Sequence, residues 1–187
     1  MKQLLIYFIL VYIISWLIWL PLYGHVFGLT DLPLIPFNHA IGGFGPLIAA
    51  FLTTWIFLKK DGIKNLVSKM FQIKPLIYFA IALLSPFILV LLASVISCFV
   101  NHKPINISGL LTTKEFPEWS FFTFLIYNLL FFGFGEEVGW RGFALPRLQV
   151  NFNAVIASII LTLFWALWHL PLFFIDLVTH QWILPEF

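Results

Sequence analysis

Residues 4–22 read LLIYFILVYIISWLIWLPL, nineteen consecutive positions without a charged side chain. A bilayer's hydrocarbon core is crossed by about 17 to 25 such residues in a helix, so this run predicts a transmembrane span. It begins too close to the start, is too long for a signal-peptide core, and is not followed by a small-residue cleavage pattern; it reads as a true anchor. Working outward, residues 41–58, 76–100, 119–134 and 154–170 are apolar runs of comparable length. The expected fold is therefore an all-α polytopic membrane protein of about five transmembrane helices, a single helical domain over 1–187. Composition agrees: the chain is 61% hydrophobic and 10% charged, with a mean hydropathy of +1.01, whereas soluble domains are roughly half apolar and a quarter charged. That balance excludes a soluble globular domain, and nucleic acid is not an expected partner.

The few charges carry topology. Five lysines fall within residues 59–74, KKDGIKNLVSKMFQIK, and the connection 23–38 has neither Lys nor Arg. By the positive-inside rule the 59–74 loop and the N-terminus face the cytoplasm. Arg141, Arg147 and the 149–153 turn then return to the same side. Pro and Gly cluster at span ends; Pro86 alone lies inside a span, where a kink is expected. Trp16, Trp19, Tyr23, Trp55, Trp119 and Trp182 sit near span ends and read as interface anchors. Cys98 is the sole cysteine, so no intrachain disulfide or cysteine-ligated zinc site exists. No internal repeat of the kind found in inverted-repeat transporters is visible.

Against this background the segment 134–148, FGEEVGWRGFALPRL, stands out. Ionisable groups at bilayer depth cost at least ~2.5 to 3.5 kcal/mol on insertion scales and are functional candidates by default. If the fourth helix runs from 119 to 149 it is roughly 46 Å long, and Glu136 and Glu137 lie near its middle. His169 lies about 24 Å along the returning helix and Glu137 about 20 Å before the turn, so an antiparallel hairpin brings carboxylates and imidazole to similar depth. The site is expected between the fourth and fifth helices. Glu137 and Arg141 are at i and i+4 and can pair on one face. Glu136, turned about 100° away, is left to act elsewhere, and an unpaired carboxylate suits a general base that takes a proton from water. A buried network that only holds the helices in register remains the alternative, most of all for Glu137 and Arg141.

These motifs resemble the CPBP family of intramembrane proteases, also called the Abi or CAAX prenyl protease 2-like family, whose motifs are EExxxR and FxxxH. Residues 136–141, EEVGWR, match the first in full, followed by RGF and PRL; 165–169, WALWH, followed by LPLFF, match the second with Trp165 in place of Phe. ISWLIWLP (14–21) and GGFGPLIAA (42–50) extend the likeness to most of the chain, with the core motifs in 119–175. The resemblance implies an intramembrane endopeptidase open toward the cytoplasm, in which Glu136 activates water, His169 shares in binding that water or a metal, and Glu137, Arg141 and Trp165 support the site. It leaves zinc open, with Glu136 and His169 as ligands, although one His and two Glu are not a complete zincin-like set. The implied partners are membrane lipids and a peptide or lipidated-protein substrate, in CAAX processing, bacteriocin maturation or self-immunity. A non-catalytic peptide-binding or immunity protein and a small transporter with a carboxylate relay are the competing readings. HKPIN, 102–106, has the HxxxN spacing of the family's third motif but precedes EExxxR and contains Pro104, so it reads as coincidence. His25, His39 and His180 read as solvated or interfacial histidines of the outer side. No third motif follows His169, so the chain is expected to be a truncated member, inactive and poorly stable as given.

Overall fold

The computed structural model describes residues 1–72, 75–101, 116 and 118–176. Lys74, the HKPIN stretch, Trp182, His180 and the tail in which the third motif was sought all lie outside the described residues. The described elements are helical, and five helices are long and apolar enough to cross a membrane. This is a multi-pass membrane protein. In chain order the helices are α1 (Lys2–Tyr23), a short α2 (Asn38–Gly42), α3 (Gly45–Met70), α4 (Leu76–Asn101), α5 (Phe121–Leu148), α6 (Ala154–Trp168) and α7 (Leu170–Asp176). They fall into two compact units, Met1–Met70 with Phe122–Phe187, and Phe71–Phe121. The second unit holds α4, whose run of apolar residues continues through Pro86 without ending.

Within the first unit α1 packs against α2, α3, α6 and α7. Its buried positions Leu4, Tyr7, Phe8, Val11, Ser15, Trp19 and Tyr23 recur every three or four residues, one face of a helix. That face is lined by aromatic contacts: Phe8 stacks on Phe164 at 3.9 Å between ring centroids, Tyr7 lies 4.8 Å from Phe143, and Trp19 lies 4.7 Å from Trp168. Polar ties run across it as well. The Tyr12 hydroxyl donates to the Phe164 carbonyl at 2.6 Å and the Trp16 indole to the Trp168 carbonyl at 2.9 Å. Trp16, Trp19 and Tyr23 are thus packing and hydrogen-bonding residues of the bundle and not the interface anchors that their position near a span end suggested. Trp55 is 55% exposed.

Two expectations about element limits change. The second span does not run unbroken from 41, because Asn38–Gly42 forms its own turn and α3 starts at Gly45. Ser15 donates to the Gly42 carbonyl at 2.8 Å and Asn38 to the Ile18 carbonyl at 2.6 Å, so the GGFG stretch lies directly on α1. A Cβ on Gly42 would meet the Trp19 indole, which explains glycine there by close approach. At the other end of α3 the lysine-rich segment is not a loop. Lys59 breaks the helix with φ 53° and ψ −147°, a conformation nearly confined to glycine, and residues 60–70 resume as helix. On that second limb Leu66 is buried and Gly62, Ile63 and Met70 are partly buried, whereas Lys60, Asp61, Lys64 and Lys69 are exposed. The limb is amphipathic, with its apolar side packed on the hydrophobic core and its charged side exposed.

Candidate active site

α5 is not a regular α-helix. Leu129–Phe134 and Val138–Ala144 are wound as wider π turns, on either side of Gly135–Glu137. Such stretches cost hydrogen-bond quality and concentrate at functional sites. Here they flank the two carboxylates. Glycine spacing explains how α5 is held: a Cβ on Gly135 would come within 2.9 Å of the Gly43 carbonyl oxygen, and one on Gly139 would meet the Pro46 backbone. Gly135 and Gly139 form a small-xxx-small pair, which lets backbones approach closely in lipid, and Glu136 and Glu137 lie between them.

The two glutamates point to different partners. Glu137 pairs with Arg141 on an exposed part of the helix. Glu136 is only 8% exposed, and its Oε2 accepts a hydrogen bond from the Trp165 indole N–H of α6 at 3.1 Å. Its carboxylate is therefore buried, engaged by one neutral donor, and outside the ion pair beside it.

Trp165 also carries His169. The rings are 4.4 Å apart, nearly perpendicular, and His169 Nδ1 is 2.8 Å from the Trp165 carbonyl oxygen. A carbonyl only accepts, so Nδ1 holds the proton and Nε2 keeps a lone pair. Local backbone makes this available. The amide of His169 turns to Ala166 at 3.2 Å and not to Trp165, which would be its α-helical partner. Pro171, two residues on, has no N–H with which to continue the ladder. α6 accordingly ends at Trp168, and the freed Trp165 carbonyl receives the imidazole. Asn153 caps the other end of α6, its side chain accepting from the Ile156 amide at 3.0 Å.

The structure thus joins Glu136 and His169 through Trp165, with Glu137 and Arg141 one face away. Among the described residues no group of three His, Cys, Asp or Glu is arranged to hold a metal ion. Glu136 and His169 by themselves fall short of the three protein ligands of a catalytic zinc. His39 is the residue that sequence reading placed wrongly. It lies on α2, partly buried, its ring 5.9 Å from Trp19 and 5.8 Å from Phe132, with the Trp19 indole donating to its carbonyl at 2.8 Å. Trp19 in turn touches Trp168, whose ring is 4.6 Å from His169. The one hint in the sequence was its place just before the GGFGP turn, which had to pack on α1.

Two comparisons bear on this arrangement. The family model described as type II CAAX prenyl endopeptidase Rce1-like matches residues 118–185, the segment that contains α5 and α6. The chain is also 26% identical, over 184 residues, to a CAAX prenyl protease 2 of Methanococcus maripaludis. The chain is thus similar to CAAX prenyl endopeptidases of type II, most directly over the segment that carries Glu136, Trp165 and His169. The alignment covers 91% of this chain and 63% of the archaeal relative, so the chain spans less than two-thirds of that protein's length. No solved structure matches.

Proposed function

We propose that the chain hydrolyses a peptide bond in a prenylated, membrane-anchored peptide of the CAAX type, with Glu136 as the base. The observation that carries this reading is a buried carboxylate in the middle of a membrane-spanning helix, held by a neutral indole N–H and left out of the adjacent ion pair. A structural glutamate would be expected to take the arginine one turn away; Glu137 takes it instead. In the proposed reaction Glu136 removes a proton from water as the water oxygen attacks the scissile carbonyl, and His169 Nε2 accepts a hydrogen bond from the same water. Glu136 then returns the proton to the leaving amine as the C–N bond breaks. Cleavage of a farnesylated fluorogenic peptide in detergent tests it, since hydrolysis there needs no gradient and a carboxylate relay of transport would give none. Absence of cleavage for every prenylated peptide tried, in folded protein, would overturn it. Loss of activity to chelators with recovery on adding zinc would overturn a reaction carried by Glu136 and His169 without a metal.

Trp165→Phe keeps a ring against His169 and the carbonyl that fixes its tautomer, and removes only the donor to Glu136. Hydrogen bonds to charged groups contribute about 1.5 to 3 kcal/mol, so kcat should fall roughly tenfold or more with KM little changed. An unchanged kcat would mean that the indole N–H does nothing for the carboxylate.

The proposed orientation puts the lysine-rich limb of α3 in the cytoplasm. With Cys98 changed to Ser, a cysteine at Asn65 should be protected from membrane-impermeant thiol reagents in intact cells and one at Thr30 labelled. The opposite labelling would reverse the topology and the side from which substrate enters.

A further inference from the structure

Arg147 is the charge of the motif segment that the proposed reaction leaves unused. It lines a cavity of about 460 Å³ at one end of the first unit, where the start of α1, the end of the first limb of α3 and the turn between α5 and α6 come together. Its guanidinium is fixed in place without being neutralised. Nε donates to Gln3 Oε1 at 2.9 Å, one terminal nitrogen donates to the Phe143 carbonyl at 2.9 Å, and the group lies 3.6 Å over the Phe143 ring centroid. None of these partners is an anion. Lys2 supplies a second cation to the same cavity, Asn151 a side-chain amide, and Phe57 and Val150 an apolar wall, and among the described residues no Asp or Glu lines it. Lys59 and Lys60 follow Phe57 after a single residue, Leu58.

Two cations, an amide and an apolar wall at the end of a helix bundle suit an anion that is attached to hydrocarbon. We infer that this cavity binds the phosphate of an anionic phospholipid headgroup, with Arg147 presenting its remaining N–H groups to the phosphate oxygens, Lys2 adding charge, and the first carbons of the acyl chains lying along Phe57 and Val150. Arginine's planar fork matches phosphate, and basic pockets between transmembrane helices on the cytoplasmic side are where such headgroups are held. The site is independent of the peptidase reading, since Arg147 lies about three helical turns beyond Glu136 along α5. It would make the packing of α1 on α5 through Gln3 and Arg147 sensitive to the lipid around it.

The experiment is thermal unfolding of the full chain in detergent, titrated separately with phosphatidylglycerol, phosphatidylcholine and inorganic phosphate. Phosphatidylglycerol should raise the unfolding midpoint, and the other two should leave it in place. Arg147→Gln should shift the phosphatidylglycerol titration about tenfold to higher lipid, and Lys2→Gln several-fold. The pair Lys64→Gln and Lys69→Gln, which lies outside the cavity, should leave the titration where it is. Because Arg147 also holds Gln3 and the Phe143 carbonyl, Lys2→Gln, an exposed position, carries the test if the arginine variant does not accumulate. The inference fails if both cavity variants titrate like the unaltered chain or if the distant lysine pair has the larger effect. An equal response to inorganic phosphate would overturn a lipid as the occupant.

Discussion

Glu136→Gln should lower turnover of a prenylated peptide by about 10² to 10⁴, the range by which a positioned general base contributes. The substitution is close to isosteric, and glutamine's carbonyl oxygen can still accept from the Trp165 indole, so the tie between α5 and α6 survives while the proton acceptor is lost. That separates chemistry from folding, and an unchanged unfolding midpoint beside the lost turnover is part of the expected result. Glu137→Gln is the informative neighbour. It weakens an ion pair whose partners are 45% and 62% exposed, and it should cost turnover less than the change at Glu136. Cleavage by the Glu136 variant near the level of the unaltered protein would remove that residue from the role of base. A larger loss at Glu137 would exchange the roles of the two carboxylates.

The other large effect is expected at a glycine. A Cβ on Gly139 would overlap the carbonyl carbon and oxygen of Pro46 together with its ring, and backbone at the start of a packed helix cannot swing aside as a side chain can. Overpacking of a close contact commonly costs about 1 to 3 kcal/mol, and Gly139→Ala should reach the upper end or exceed it. Gly142 offers the control on the same π turn. The nearest atoms to a Cβ there are the Glu137 carbonyl oxygen at 3.7 Å and a Val138 methyl at 4.0 Å, so Gly142→Ala should be tolerated. The measurement is the unfolding midpoint of each variant in detergent. Equal midpoints for the two alanines would show that α3 and α5 are not held together at Gly139.

Hydropathy made the five spans legible because the lipid requirement acts on whole runs of residues, and runs survive without knowledge of tertiary contacts. The Glu137–Arg141 pair was legible for a similar reason: i and i+4 lie on one helical face whatever the rest does. The partner of Glu136 was not. Trp165 could be recognised as an aromatic of the second motif, but that its indole N–H reaches a carboxylate depends on the rotation of α5, and the π turns that set this rotation leave no apolar period to read. Their trace was four glycines in ten residues, Gly133, Gly135, Gly139 and Gly142. The lysines of 59–74 were read for their side of the membrane, and the weaker period of Ile63, Leu66 and Met70 beneath them, which makes residues 60–70 a helix, went unread. His39 was assigned by its distance from a span end, a rule that fails where the chain folds back on α1.

The two hydrogen bonds from α1 to α6 also set an order of events during biosynthesis. Tyr12 and Trp16 find their acceptors 152 residues later in the chain. At roughly 5 to 20 residues per second, the first helix waits on the order of ten to thirty seconds in the bilayer before Phe164 and Trp168 are made. Throughout that interval the Tyr12 phenol and the Trp16 indole lack the acceptors that they reach in the folded chain. α1 is thus completed only after α6 has followed it into the membrane, so its assembly is tied to a segment made much later.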